Sequence, residues 1–130
     1  WALDNADMIM DYKHARQLVD SRYKGMSKVH TINNAVLTIW GLILGGNDVT
    51  QVLSQTVAMG LDNDCTAATA GSIVGAIVGI EKVPTHWYKN FNNTIHSYLI
   101  EHETFAIDNL MERFKKQAND LHTGDSSQKE

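Results

Sequence analysis

The chain has 130 residues, 43% of them hydrophobic and 20% charged, which matches one domain of roughly 100–200 residues with enough apolar side chains for a core and excludes wholesale disorder. Eleven Lys and Arg stand against 15 Asp and Glu, a net charge of −4 with no basic block. This excludes nucleic-acid binding through a cationic surface and leaves no basic amphipathic face for a membrane.

Across residues 4–23, Met8, Tyr12, Ala15 and Val19 recur at helical spacing and predict a first helix. Across 31–44, Ile32, Ala35, Val36, Ile39, Trp40 and Ile43 form a wide apolar stripe that the pair Gly45-Gly46 closes. Asp48 followed by Gln51 has capping-box spacing, and Val49, Val52, Leu53, Thr56 and Val57 continue as a third helix, ended by Gly60. Asp62-Asn63-Asp64 opens a fourth. Its body, residues 67–80, has no ionisable side chain and reads as a buried helix. Gly71, Gly75 and Gly79 fall every four residues there; glycine costs about 1 kcal/mol per helical position relative to alanine, so close helix–helix approach is their expected use. The run is shorter than the roughly 20 residues that span a bilayer. Pro84 suits a first helical turn, with Trp87, Tyr88 and Phe91 making a short amphipathic piece. Residues 92–103 fit neither the helix nor the strand period. Asp108 reads as the N-cap of a last helix carrying Leu110, Met111, Phe114 and Leu121, and residues 123–130 as a disordered tail. The expectation is an all-α, compact helical bundle: one helical domain over residues 1–122, with no repeat and no linker.

Chemistry concentrates at Asp62 and Asp64. Two carboxylates at i and i+2, just ahead of a helix, can converge on a hard cation, and oxygen donors favour Mg²⁺, Mn²⁺ or Ca²⁺. The competing reading is capping, in which the aspartates satisfy free helix N–H groups. Cys65 beside them is the one cysteine, so no intrachain disulfide forms, and an intracellular, reducing setting is the expectation. No neighbouring base marks it as a nucleophile. None of the six histidines has ligand spacing with another. His14, His86 and His122 are expected on exposed segments, and His96 and His102, the latter between Glu101 and Glu103, on a solvated charged face. Trp40 and Trp87 lie in apolar stripes and read as core anchors.

Taken in order, His30-Thr31-Ile32-Asn33-Asn34-Ala35, Gly45-Gly46-Asn47-Asp48, Gly60-Leu61-Asp62-Asn63-Asp64, Gly75-Ala76-Ile77-Val78-Gly79 and Val83-Pro84-Thr85-His86-Trp87 resemble the C-terminal part of the ADP-ribosylglycohydrolase family. The resemblance covers residues 28–117. It implies an all-α fold, a pair of Mg²⁺ ions with Mn²⁺ as the substitute, and hydrolysis of bonds from ADP-ribose to protein side chains or related acceptors. In the family pattern an Asp-x-Asp-Thr element leads into an Ala/Gly-rich helix and supplies metal ligands, so Asp62 and Asp64 are the implied ligands. Cys65 stands where the family usually has threonine, and a thiol is a poor partner for Mg²⁺; a backbone carbonyl or Thr66 is the substitute. His30 matches a polar position of the family block and, with Asn33, is a substrate-cleft candidate; a helix cap is the alternative for His30.

The family's N-terminal portion carries a Gly-Asp-x-x-Gly-type segment and a Thr-Asp-Asp-Thr-type motif that complete the metal pair and part of the ADP-ribose site. Nothing in residues 1–25 resembles either. The expectation is therefore the C-terminal piece of a longer hydrolase, inactive alone, whose partners are that N-terminal portion and an ADP-ribosylated substrate. The apolar surface of such a piece makes a homo-oligomer a further expectation. The rival reading is a non-catalytic helical interaction module, or a degenerate family member with no metal site, in which the aspartates only cap.

Overall fold

The computed structural model describes residues 1–124; the expected tail lies outside the described residues from 125 onward. The chain forms two compact units, Trp1–Pro84 and the stretch from Thr85 on.

In the first unit a 3-10 turn at Ala6–Met8 precedes α1 (Tyr12–Arg22), α2 (Thr31–Gly45), α3 (Val49–Met59) and α4 (Asn63–Val78), and a second 3-10 turn follows at Ile80–Lys82. The first helix is shorter than its periodicity predicts. Asp11 accepts from the His14 N–H at 2.8 Å, and a capping carboxylate starts a helix where it stands rather than continuing one. Met8, expected on the buried face, is exposed. α2 begins where expected, with His30 Nδ1 accepting from the Ile32 N–H at 3.2 Å. Asp48 caps α3 by accepting from the Gln51 N–H at 3.0 Å.

One apolar cluster joins α1, α2 and the end of α3 through Ala15, Val19, Val36, Leu37, Trp40 and Met59. The Trp40 indole N–H donates to the Ala2 carbonyl at 2.9 Å, so this large side chain is buried without an orphaned donor. A second cluster joins α3 to α4 through Val49, Val52, Ala70 and Val74. Helices α2 and α3 approach closely at two glycines. A Cβ on Gly41 would collide with Thr56, and one on Gly45 with the backbone of Val52.

α4 is therefore not the buried, glycine-packed helix expected. Only Thr66, Ala67, Ala70 and Val74 are buried, one face of the helix, while Ile73 and Ile77 are exposed. Gly71 alone meets a neighbour, the Leu53 side chain; Gly75 faces open space, and Gly79 is the C-cap at φ 75. A lack of charge does not by itself bury a helix, because the first unit covers one side only.

The second unit corrects the all-α expectation. After a 3-10 turn at Thr85–Trp87, β1 (Thr94–Leu99) pairs antiparallel with β2 (His102–Ala106), and α5 (Ile107–Gly124) follows. The register sets Ile95 against Phe105 and His96 against Thr104, with an irregularity between His96 and Leu99. Residues 92–103 fail the helix period because the β-branched and aromatic Thr94, Ile95 and Tyr98 favour a pleated strand. Asn92, Asn93 and Glu101 have positive φ and make the bends. Asp108 lies inside the first turn of α5 rather than capping it. Thr123 and Gly124, assigned to the tail, belong to that helix. No side chain of residues 85–122 is buried; Trp87, expected as a core anchor, is 37% exposed. Among the described residues no helix is long and apolar enough to cross a membrane.

Candidate metal centre

The segment from α3 to α4 is short and strained. Gly60 has φ 73 and Leu61, a residue with a Cβ, has φ 64, a left-handed conformation that costs about 1–2 kcal/mol for an L-residue and persists only where the surroundings impose it. Three features impose it here. The Arg16 Nη1 of α1 donates to the Met59 carbonyl at 2.8 Å. The Leu61 side chain packs on the first apolar cluster. Asn34 Oδ1 of α2 accepts from the Asp62 N–H at 3.1 Å.

Asn34 is itself fixed. It is buried, and its Nδ2 donates to the carbonyls of Lys28 at 2.7 Å and His30 at 2.9 Å. Asn33, also buried, donates from Nδ2 to the Ser27 carbonyl at 2.9 Å and accepts from the Asn34 N–H through Oδ1 at 2.9 Å. The two consecutive asparagines thus fasten the start of α2 to the segment before it, and one of them reaches on to α4.

The loop delivers Asp62, Asp64 and Cys65 together, one ligand-type atom from each lying within 4.8 Å of the others. Asp62 is half-buried; Asp64 and Cys65 are exposed. Asp62 occupies the N-cap position of α4, yet its side chain makes no capping hydrogen bond. A hydrogen bond to the Asp62 carboxylate, and then the negative charges of Asp62 and Asp64, push the Cys65 thiol above its ordinary value. At neutral pH it is a protonated, neutral group, which is neither an activated nucleophile nor a donor suited to a hard cation. The two carboxylates do suit Mg²⁺ or Mn²⁺; the thiol does not.

Beside this cluster lies an open cleft of about 390 Å³ between α2 and α4. Val29, Thr31, Asn34, Ala35, Thr38 and Ile39 line one side, and Asp62, Cys65, Thr66 and Thr69 the other. The hydroxyls of Thr38, Thr66 and Thr69 donate back along their own helices, to the carbonyls of Asn34, Asn63 and Cys65. Their oxygens keep acceptor lone pairs.

The structure therefore brings Asp62, Asp64 and Cys65 together as expected from their spacing. His30 and Asn33 are not among the residues that line the cleft; His30 is exposed and caps α2, and Asn33 is buried against Ser27. Asn34, which the sequence reading did not single out, is the asparagine in the lining.

Comparisons with curated proteins and with solved structures give no match. The family model described as ADP-ribosylglycohydrolase matches residues 2–120, a span that takes in α1 and begins well before residue 28. The chain belongs to the ADP-ribosylglycohydrolase family.

Proposed function

We propose that the chain carries part of the active site of a hydrolase that cleaves ADP-ribosyl N- or O-glycosidic bonds, with Asp62 and Asp64 as ligands of a Mg²⁺ or Mn²⁺ ion. The observation that carries this reading is the state of Asp62. It stands where a capping residue stands, but its carboxylate caps nothing, and it lies beside a second carboxylate at the edge of a cleft. In the same fold Asp11 and Asp48 do cap their helices, so capping is not what sets Asp62 apart.

The roles of the chain's own groups follow from their chemistry. Asp62 and Asp64 would hold the cation through carboxylate oxygens, with Thr66 near enough in sequence to offer an oxygen in place of the thiol. The cleft's hydroxyls would orient the sugar hydroxyls of an ADP-ribosyl group, and Val29, Ala35 and Ile39 would give an apolar wall to a nucleoside. When bound, the metal supplies orientation of a water and neutralisation of developing charge. Two carboxylates fall short of the six oxygens Mg²⁺ takes, so the remaining ligands come from water and from groups outside this cluster. By resemblance, further ligands would come from the N-terminal portion of the family's fold, without which the described chain would be inactive.

The test is thermal unfolding with Mg²⁺ or Mn²⁺ against Ca²⁺ and Na⁺ controls. A ligand that binds only the folded chain raises its stability, by about 2.7 kcal/mol at a hundredfold excess over Kd. The expected result is a rise of several degrees with Mg²⁺ or Mn²⁺, absent after Asp62→Ala with Asp64→Ala; no rise in the unmodified chain would remove the metal reading. One observation favours a second reading, a non-catalytic interaction module: the isoleucines Ile73 and Ile77 stand exposed on α4. It predicts no metal effect.

A further inference from the structure

We propose that Asn34 is the positioning residue of the Asp62–Asp64 pair, an inference that rests on the metal reading above. The side chain that holds the α4 entrance comes from another helix, 28 residues earlier in the chain. Asn34 is one group with two functions in one plane. Its Nδ2 is anchored by the carbonyls of Lys28 and His30, which fixes the rotamer, and its Oδ1 is thereby aimed at the N–H of Asp62. The anchoring matters because an amide carrying two fixed donor bonds cannot swing away when the loop moves.

What it holds is the residue that follows a left-handed Gly60 and a left-handed Leu61. That backbone would relax toward ordinary φ values if released, and Asp62 would turn with it. The bond to Asn34 uses the Asp62 backbone N–H, and the Asp62 carboxylate makes no capping bond. Arg16 pins the other end of the same loop at the Met59 carbonyl. The loop is therefore clamped on both sides by side chains from α1 and α2, and Asn34 is the clamp on the ligand side. It acts on a metal ligand through that ligand's backbone, the manner in which outer partners tune metal sites.

The experiment measures Mn²⁺ affinity of the folded chain by the loss of free Mn²⁺ electron-spin-resonance signal, for the unmodified protein, Asn34→Ala, Asn34→Asp and Val19→Ala. Asn34→Asp keeps the shape and an acceptor oxygen but loses the two donor bonds that anchor it. Val19→Ala destabilises the first apolar cluster by cavity formation and controls for stability alone. Asn34→Ala is expected to weaken Mn²⁺ binding roughly tenfold or more. Asn34→Asp is expected to weaken it as well, because its second carboxylate oxygen faces the carbonyls of Lys28 and His30 and the anchor is lost, and Val19→Ala to be unchanged. Amide hydrogen exchange at Asp62 gives a readout without metal: slow in the unmodified chain, fast in Asn34→Ala and in Asn34→Asp.

An Asn34→Ala chain that binds Mn²⁺ within about threefold of the unmodified one overturns the inference. So does an Asn34→Asp chain that keeps both its Mn²⁺ affinity and slow exchange at Asp62, which also decides the matter if Asn34→Ala does not fold. Equal weakening by Val19→Ala overturns it too, because stability alone would then explain the effect. An unmodified chain that binds no Mn²⁺ overturns the metal reading first, and this inference with it, whereas binding that survives in Asn34→Ala overturns this inference alone.

Discussion

Helices α3 and α4 begin with the same local pattern and are held in different ways. Each follows a glycine of positive φ, Gly46 at 57 and Gly60 at 73, and each has an aspartate at the N-cap. At α3 the Asp48 carboxylate accepts from the Gln51 N–H and stabilises its own helix. At α4 the Asp62 carboxylate makes no capping bond, and Arg16 and Asn34 hold the entrance from α1 and α2. A self-capped helix uses its aspartate for stability. A helix held from elsewhere does not need that carboxylate as its cap, at the cost of a loop that needs outside support.

The largest effect is expected where both entrances depend on one frame, the α2–α3 seam. Gly45→Ala would drive a methyl group into the Val52 backbone, which cannot yield as the tip of a side chain does, and should destabilise the chain by about 3 kcal/mol in urea unfolding. A fully stable Gly45→Ala chain would mean that α2 is not fixed enough to position anything on α4.

Next come the two loop glycines. Gly60→Ala meets both an unfavourable backbone conformation and the Arg16 guanidinium, which would have to leave the Met59 carbonyl; about 2 kcal/mol is expected. Gly46→Ala has open space around it and carries the backbone cost alone. Equal losses for the two would show that Arg16 adds nothing to the α4 entrance.

The sharpest contrast is between the aspartates themselves. Asp48→Ala should cost about 1 kcal/mol by thermal or urea unfolding, the usual loss of an N-cap, and the loss should not depend on Mg²⁺. Asp62→Ala should cost less than half as much without metal and should abolish stabilisation by Mg²⁺. Two equal, metal-independent losses would return Asp62 to the status of an ordinary cap.

The smallest effect belongs to a third helix start. At α5, Asp108 donates its backbone N–H to Asn93 Oδ1 at 3.1 Å, and its carboxylate accepts from the Asn109 N–H at 2.7 Å. Hydrogen bonding to the Asn93 side chain and then to that N–H holds its carboxyl below the ordinary value of 3.8. A group whose folded value is lowered stabilises the folded state above its unfolded value, and that stabilisation is lost as pH falls through the folded value. Helix content followed by circular dichroism from pH 5 downward should therefore decline slightly in the unmodified chain, through a step that Asp108→Asn lacks. The exposure of Asp108 keeps the step small.

The sequence made the helices of the first unit readable where side chain and backbone signals coincide. The stripe from Ile32 to Ile43 and its glycine stop place α2 to within a residue, and the Asp48–Gln51 spacing places the start of α3. The second half of that capping box does not form; the Gln51 side chain accepts from Gln55 instead. Uncharged composition misled on α4, since Ile73 and Ile77 are as apolar as Val74 but only Val74 has a neighbouring helix to cover it. The hairpin was hidden because a six-residue strand with a register irregularity leaves no clean alternation. At the site, the spacing of Asp62 and Asp64 was enough to bring them together. The contribution of Asn34 was not readable, because a hydrogen bond across 28 residues leaves no periodic trace.

The three tryptophans give the molecule an optical consequence. Trp40 is fully buried, with its ring 5.2 Å from that of Trp1, whereas Trp87 is the lone tryptophan of the second unit and over a third exposed. Emission from a dry indole lies to the blue of emission from a wet one, so loss of the blue edge reports melting around α2, and quenching by acrylamide samples Trp1 and Trp87 before Trp40. Trp87→Phe would confine the signal to the first unit, and the difference between the two unfolding curves would tell whether the two units melt as one or in sequence.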